Sequence, residues 1–222
     1  MDRSILLIYT GGTIGMKIDP QSQALAPFDF SHILEEVPEL KKFGYKLDSY
    51  SFDPVIDSSD ANIPFWQEIA RIIEENYTRY DGFVVLHGTD TMSYTASMLS
   101  FMLENLGKPV IFTGSQLPIG MLRTDGKENL ISSIEIAAAK DEEDRAMVPE
   151  VCVYFESQLY RGNRTTKYNA ENFRAFRSAN FPVLADVGIH IKFHQELIRY
   201  PKWGKEFKVH YNLDRNVAIV KV

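Results

Sequence analysis

The chain has 222 residues, of which 45% are hydrophobic and 24% charged, a composition typical of a globular protein with a full core. Its formal net charge is −6 and it has no run of lysine or arginine, which argues against nucleic acid or an anionic membrane as its main partner. The first apolar run is too short for a signal peptide, and no stretch reaches the roughly 18 apolar residues of a membrane span. We therefore expect a cytoplasmic protein.

Short apolar runs alternate with amphipathic segments along the chain. Four runs are continuously hydrophobic and predict strands covered on both faces, as in a parallel sheet: 4–10, 82–88, 109–115 and 150–157. Helical periodicity predicts three helices, each between two of these strands: 64–78, 91–106 and 126–140. The alternation predicts an α/β protein with a doubly wound, mainly parallel sheet flanked by helices. Such a sheet binds its ligands at the carboxyl ends of the strands.

Three further features complete this prediction. Residues 16–30 have little periodicity and are interpreted as a surface loop that acts as a lid. The last segment, NVAIVKV (216–222), predicts a strand with no partner element after it, so we expect that a second domain is missing. The single cysteine, Cys152, lies in an apolar run, which favours a buried structural thiol.

The stretch IYTGGTIGM (8–16) follows the first predicted strand and has three interpretations. Glycines after a strand bind phosphate in some proteins, but the chain has no GxxxxGK[ST] motif, and these glycines do not fit GxGxxG. A plain turn needs glycine but not a threonine on each flank. A loop that exposes a hydroxyl nucleophile needs such a turn, with backbone donors nearby for an oxyanion. The motif alone leaves all three open.

Polar residues also follow the second predicted strand, in LHGTDTMSY (86–94). Capping of the next helix by Asp90 or Thr91 is one interpretation. The other is a ligand site in which Asp90 binds an ammonium group and the Thr89 hydroxyl relays a proton. The segment VIDSSDANIP (55–64) has the same two interpretations, since serine and aspartate cap helices and also bind small carboxylates.

The polar stretch LYRGNRTTKYNAENF (159–173) is compatible with a solvated loop. A desolvated Lys167 near a threonine would instead lower the pKa of the hydroxyl or accept its proton. We expect no metal site, because His190 and His194 lie in a segment broken by Pro and Gly, and the chain has neither HExxH nor a cysteine cluster. The segment GSQLP (114–118) lacks the GxSxG spacing of a nucleophile elbow.

Taken together, YTGGTIGM (9–16), HGTDTM (87–92) and RGNRTTK (161–167) resemble the signatures of the bacterial-type asparaginases, specifically the cytoplasmic type I L-asparaginases. The resemblance covers nearly the whole chain. It implies hydrolysis of L-asparagine to L-aspartate and ammonia without metal or cofactor, by a homodimer or homotetramer. It also implies an N-terminal catalytic domain over 1–200, an interdomain linker over 201–215, and the first strand of a truncated C-terminal domain over 216–222.

The resemblance assigns roles residue by residue. Thr13 matches the nucleophile that forms an acyl-enzyme, while Thr10 is expected to support the turn. The second catalytic group matches Thr89, Asp90 and Lys167. The segment that holds the α-amino and α-carboxylate groups of the substrate matches Asp57, Ser58 and Ser59, and Asp90 also contacts the ammonium.

The chain departs from the family in one loop. Many members carry a tyrosine that assists the nucleophile, but SQALAPF (22–28) has none, and Leu25 lies near the expected place. Two alternatives to an asparaginase stay open. One is the amidase subunit of a glutamyl-tRNA amidotransferase, and the other is a non-catalytic small-molecule sensor on the same scaffold. A sensor would keep Asp57, Ser58 and Asp90 but would not need Thr13 or Lys167.

Overall fold

The computed structural model describes residues 3–18, 25–27, 33–218 and 220. The helices of this part are α1 (Ile33–Glu36), α2 (Ile63–Asn76), α3 (Met92–Met102) and α4 (Gly126–Ala138). Its strands are β1 (Ser4–Tyr9), β2 (Met16–Ile18), β3 (Leu25–Pro27), β4 (Lys46–Ser51), β5 (Gly82–Leu86), β6 (Leu103–Glu104), β7 (Val110–Thr113), β8 (Val151–Phe155), β9 (Gln158–Arg161), β10 (Thr166–Lys167), β11 (Phe176–Arg177), β12 (Ala185–Val187), β13 (Ile191–Phe193) and β14 (Lys208–Val209).

Eight strands form one sheet in the order β13-β12-β9-β8-β7-β5-β1-β4. The strands from β4 to β8 are parallel, and those from β8 to β13 are antiparallel. The predicted α/β fold is therefore confirmed, with an antiparallel end added. This end begins at Glu156 and Ser157, whose positive φ angles of 45° and 64° make a tight two-residue hairpin turn. The solvated-loop interpretation of 159–173 is therefore only partly right, because this stretch starts in β9.

Helices cover both faces of this sheet, as in a doubly wound fold. Alternate side chains of β1 face opposite sides, because successive residues of a strand point to opposite faces. Leu6 and Ile8 pack in the cluster that contains residues of α2 and α3, whereas Leu7 and Tyr9 pack in the cluster that contains residues of α4. All four are at most 4% exposed. Burial on both faces accounts for the continuous hydrophobicity of the predicted strands.

The three main helices lie where the periodicity predicted them, with shorter ends. Asn62 caps α2 by accepting a hydrogen bond from the Phe65 N–H at 3.1 Å, and Pro64 lies in its first turn. Helix α3 ends at Met102, before the predicted residue 106, because Leu103–Glu104 pairs with β14 as a strand. The apolar stripe nevertheless continues, since Leu103 and Leu106 are buried.

The predicted lid and chain end are only partly described. Strands β2 and β3 pair as an antiparallel hairpin, while residues 19–24 and 28–32 lie outside the described part, as does the side chain of Leu25. The lid therefore stays a prediction. Residues 216–218 and 220 form no strand, residues 219, 221 and 222 are not described, and the division into domains also stays a prediction. No helix among the described residues is long and apolar enough to cross a membrane.

Cys152 lies in β8 and is fully buried. Burial raises the pKa of its thiol well above the usual range, so the group stays protonated and unreactive. The predicted structural role of this cysteine is confirmed.

Candidate active site

Three loops meet in direct backbone contact beyond the carboxyl ends of β1 and β5. Gly11 has a φ of 134°, and a Cβ there would lie 2.2 Å from the Ile56 carbonyl oxygen. Gly12 has a φ of 92°, and a Cβ there would lie 2.6 Å from the Gly88 nitrogen. Positive φ and such close approach both require glycine. The glycines of TGGTIGM therefore bring this loop against the DSSD and GTDT segments.

Ser58 is locked against the GTDT segment from two sides. A Cβ added to Gly88 would lie 2.5 Å from Ser58 Oγ, so the serine side chain packs directly on that glycine. The Thr91 hydroxyl donates to the Ser58 carbonyl oxygen at 2.6 Å. Ser58 is 5% exposed. The 56–60 segment and the start of α3 therefore form one rigid surface.

The two threonines that flank the glycines have different environments. Thr10 is 1% exposed, and both its N–H and its hydroxyl donate to the Leu86 carbonyl oxygen at 3.0 Å. This confirms the predicted supporting role of Thr10. Thr13 begins a single turn of 3-10 helix (Thr13–Gly15) and is partly exposed. Its hydroxyl makes no hydrogen bond within the described part of the chain.

Lys167 joins two residues that lie almost eighty positions away. Its Nζ donates to Thr89 Oγ1 at 2.8 Å and to Asp90 Oδ1 at 2.7 Å. The lysine side chain is 16% exposed, whereas that of Asp90 is 68% exposed. The short hairpin of β10 and β11 carries the lysine to this position. The structure thus brings Thr89 and Asp90 together with Lys167, which comes from a separate segment of the chain.

Asp57 is exposed and turned toward its own segment. Its carboxylate accepts hydrogen bonds from the N–H and from the hydroxyl of Ser59, each at 2.9 Å. The backbone bond, followed by the hydroxyl bond, lowers the pKa of Asp57, so the group is ionised at neutral pH. Asp57 and Ser59 therefore form the cap of a 3-10 turn (Ser58–Asp60), and they do not cap the following helix as the capping interpretation predicted, because Asn62 caps α2. Their contact with a substrate stays a prediction.

Sequence reasoning missed Gln116, which lies in GSQLP after β7. Its side-chain oxygen accepts from the Thr89 hydroxyl at 3.3 Å, and its side-chain nitrogen donates to the carbonyl oxygens of Ala170 and Asn172 at 3.1 Å. The Asp125 carboxylate in turn holds the Gln116 N–H. Gln116 thus connects Thr89 to the loop that follows Lys167. The one signal in the sequence is the position of Gln116, because GSQ follows a strand at the carboxyl edge of the sheet.

His87 lies behind this surface and is fully buried between the rings of Phe65 and Phe112. Its Nδ1 is 2.7 Å from the Gly88 carbonyl oxygen. Because a carbonyl only accepts, Nδ1 carries the proton. Burial lowers the pKa of His87 to about 4, so the ring is neutral at pH 7. It packs and does not exchange protons with the site.

A cleft of about 310 Å³ lies on the Asp90 and Lys167 side of this cluster, and Thr13, Thr89 and Ser58 are not among its lining residues. Most of its lining side chains are polar: Asp90, Ser93, Tyr94, Thr166, Lys167, Tyr168, Asn169 and Ala170. The arrangement supplies a partly exposed hydroxyl on a glycine turn, a lysine–threonine pair and a carboxylate. These groups suit nucleophilic attack on a small polar substrate with a positive group.

Comparison with known proteins identifies the family of the chain. Residues 4–199 match the family model described as "Asparaginase, N-terminal". L-asparaginase 1 of Escherichia coli (strain K12) is 48% identical over 191 residues, which cover 86% of this chain and 55% of that protein. The 60 kDa lysophospholipase of Mus musculus is 39% identical over 242 residues, covering 100% of this chain and 42% of that protein.

Among solved structures, L-asparaginase I from Vibrio cholerae matches with a TM-score of 0.81 and 42% sequence identity. The match covers 95% of this chain and 61% of that one. This chain therefore spans about half the length of the curated relatives it matches. The family predicted from the three motifs is confirmed: the chain belongs to the asparaginase family and matches the N-terminal domain of that family.

Proposed function

We propose that the complete protein hydrolyses L-asparagine to L-aspartate and ammonia, with Thr13 as the nucleophile. The observation that supports this most is the contact of Lys167 Nζ with both Thr89 Oγ1 and Asp90 Oδ1. A structural ion pair would not need a threonine hydroxyl as its third member. These three residues and the partly exposed Thr13, which lies at the same edge of the sheet, supply the groups that amide hydrolysis requires.

The first step is attack of Thr13 Oγ on the side-chain amide carbon of asparagine. Negative charge then develops on the amide oxygen, and the backbone N–H groups of Thr89 and Asp90 are its proposed donors. Neither N–H is hydrogen-bonded to another residue of the described chain. Such preoriented donors typically contribute 10²–10³-fold to the rate. The proton lost by Thr13 passes to the departing nitrogen, which leaves as ammonia.

The second step hydrolyses the aspartyl ester on Thr13. A water adds to the acyl carbon, its proton returns to Thr13 Oγ, and aspartate leaves. The Thr89–Lys167 pair serves both steps, because a donated hydrogen bond from Lys167 stabilises negative charge on Thr89 Oγ1 and makes that hydroxyl easier to deprotonate. Gln116 fixes the direction of the Thr89 hydroxyl, since its Oε1 accepts from that group.

Asp90 is the proposed partner of the substrate ammonium. Its Oδ1 accepts from Lys167, and its Oδ2 makes no hydrogen bond to other described residues. Ser58, Asp57 and Ser59 are proposed to hold the remaining α-substituents, because their segment is held against Gly88 beside the Thr13 turn. The cleft beside Asp90 and Lys167 measures about 310 Å³, which is enough for one amino acid, and it is not lined by Thr13 or by the 57–59 segment.

The rival functions find less support. A lysophospholipase, the activity in the name of the mouse relative, needs an apolar groove for an acyl chain, but this cleft is lined mostly by polar side chains. An amidotransferase subunit must accommodate tRNA, yet the chain carries a net charge of −6. A sensor would not need the Lys167–Thr89 contact. We also infer, from the type I resemblance, that the complete protein is cytoplasmic and forms a homodimer or homotetramer.

The test is product release from three substrates by the complete natural polypeptide and by residues 1–222. The substrates are asparagine, glutamine and lysophosphatidylcholine, and the variants are Thr13→Ala and the control Thr78→Ala, at an exposed threonine at the end of α2. We expect ammonia from asparagine above all, a loss of at least about 10³-fold in Thr13→Ala, and no change in Thr78→Ala. Activity that survives Thr13→Ala, or equal turnover of glutamine or the lipid, would overturn the proposal.

A further inference from the structure

We propose that Tyr9 is a positioning residue for the nucleophile, a role that rests on the proposed function of Thr13. Tyr9 is the last residue of β1 and is 1% exposed. Its side chain lies on the α4 face of the sheet, in the same cluster as Ile5 and Leu7. From this place it supports both ends of the turn that presents Thr13.

Tyr9 contacts two glycines, Gly12 and Gly15, which lie on either side of Thr13 and Ile14. A Cβ added to Gly15 would lie 2.3 Å from Tyr9 Cζ and 2.4 Å from both Cε2 and the hydroxyl oxygen, so the ring packs directly on the Gly15 backbone. On the other side of Thr13, the Tyr9 hydroxyl donates a long hydrogen bond of 3.4 Å to the Gly12 carbonyl oxygen. The same carbonyl accepts the turn-closing bond from the Gly15 N–H at 3.2 Å. One aromatic ring thus forms the floor of the whole turn.

This floor adds to two other anchors of the turn, which are the fully buried Ile14 and the packing of Gly12 on Gly88. The Thr13 hydroxyl makes no hydrogen bond among the described residues, and its turn is only three residues long. The backbone of the turn therefore sets where Thr13 Oγ lies. Displacement of a reacting group by about 1 Å costs about 10²-fold in rate. Burial raises the pKa of Tyr9 to about 12, so the hydroxyl stays neutral and acts as a donor and a wall.

A purely structural role for Tyr9 makes a different prediction. A core tyrosine contributes to stability, and its loss would lower the free energy of unfolding without changing kcat of the folded enzyme. Tyr154 is the matched control, because it is 0% exposed and belongs to the same cluster. Its atoms are not among the three nearest to a Cβ added at Gly12 or at Gly15.

The experiment measures kcat and KM for asparagine in the complete protein with four changes: Tyr9→Leu, Gly15→Ala, both together, and Tyr154→Leu. We expect Gly15→Ala to lower kcat about 10²-fold with KM changed less than about threefold, because the added methyl displaces the turn against Tyr9. We expect Tyr9→Leu to lower kcat about tenfold. The double variant should recover at least about tenfold over Gly15→Ala, because leucine lacks the Cζ and hydroxyl that the methyl meets.

Two results would overturn the proposal. One is a double variant no faster than Gly15→Ala, and the other is a Tyr9→Leu variant whose kcat changes no more than that of Tyr154→Leu. The second comparison decides the matter even if Gly15→Ala does not fold, and urea unfolding of each variant gives the folded fraction. A wild-type protein without asparaginase activity, or an active Thr13→Ala variant, would instead count against the proposed function itself.

Discussion

Substitution of Gly88 by alanine tests whether the contact between the GTDT and DSSD segments sets the activity. The added Cβ would lie 2.5 Å from Ser58 Oγ and 2.7 Å from Ser58 Cβ, whereas ordinary contact begins at 3.4 Å. Ser58 must therefore move by about 0.9 Å. Because Ser58 is 5% exposed, it has little free space to move into.

The expected cost follows from this displacement. A shift of about 1 Å in a group that positions substrate lowers the rate about 10²-fold, equivalent to about 2.7 kcal/mol of transition-state stabilisation. The overlap should also lower the free energy of unfolding by about 1–3 kcal/mol, as overpacking does in protein cores. The assay is kcat/KM for asparagine, with urea unfolding run in parallel.

Gly120→Ala is the control, since Gly120 lies in the loop after β7 and a Cβ there meets nothing within 4 Å. This variant should keep wild-type kcat/KM. If folded Gly88→Ala enzyme works within about threefold of wild type, the displacement argument is refuted.

The remaining predictions concern three other residues. Lys167→Met should lower kcat by about 10²–10⁴-fold with the fold retained, because Thr89 loses its donor; steady-state kinetics and circular dichroism check this, and a smaller loss than tenfold contradicts it. His87 has a pKa of about 4 in the folded protein and about 6.5 in the unfolded chain. Its contribution to the free energy of unfolding is therefore present above pH 6.5 and is lost as the pH falls toward 4. Urea unfolding at pH 7 and pH 4 should show this loss, on the order of 3 kcal/mol, in the wild type but not in His87→Leu, and an equal pH dependence in the two proteins would refute it. Arg161→Ala should destabilise by about 3–5 kcal/mol because it leaves the carboxylate of Glu150 buried without its partner, and Glu150→Gln in the same background should recover part of that loss, as chemical denaturation will measure.

The sequence predicts the central sheet well because its strands are buried on both faces. Five parallel strands meet there, and the four central ones are continuously apolar. The fifth, β4, was missed because it is an edge strand with the polar sequence KLDSYS and mostly exposed residues. An edge strand has one partner and carries no strong hydrophobic pattern, so periodicity does not reveal it. Strand β9 was missed for a different reason, since it is a buried inner strand of only four residues whose pairing with β8 depends on the turn at Glu156 and Ser157.

The candidate site was predictable where one segment carries a complete signal. Glycines between threonines after a strand predict a turn, and the loops that follow parallel strands meet at the carboxyl edge of the sheet. Local patterns in the sequence do not reveal the position of Lys167. That position depends on the hairpin of β10 and β11, which has only two residues in each strand. Gln116 was overlooked because a lone glutamine after a strand has no characteristic spacing. Its role appears only when Thr89 and the loop after Lys167 are brought to its two ends.

The most direct test of the account identifies the residue that carries the acyl group. The complete protein is mixed with asparagine, quenched in acid within the first turnover, digested and mapped by mass spectrometry. We predict that the peptide containing Thr13 gains the mass of one aspartyl group and that fragmentation locates the ester on Thr13. An ester on Thr89, or a first turnover of ammonia with no ester on any residue, would contradict the account.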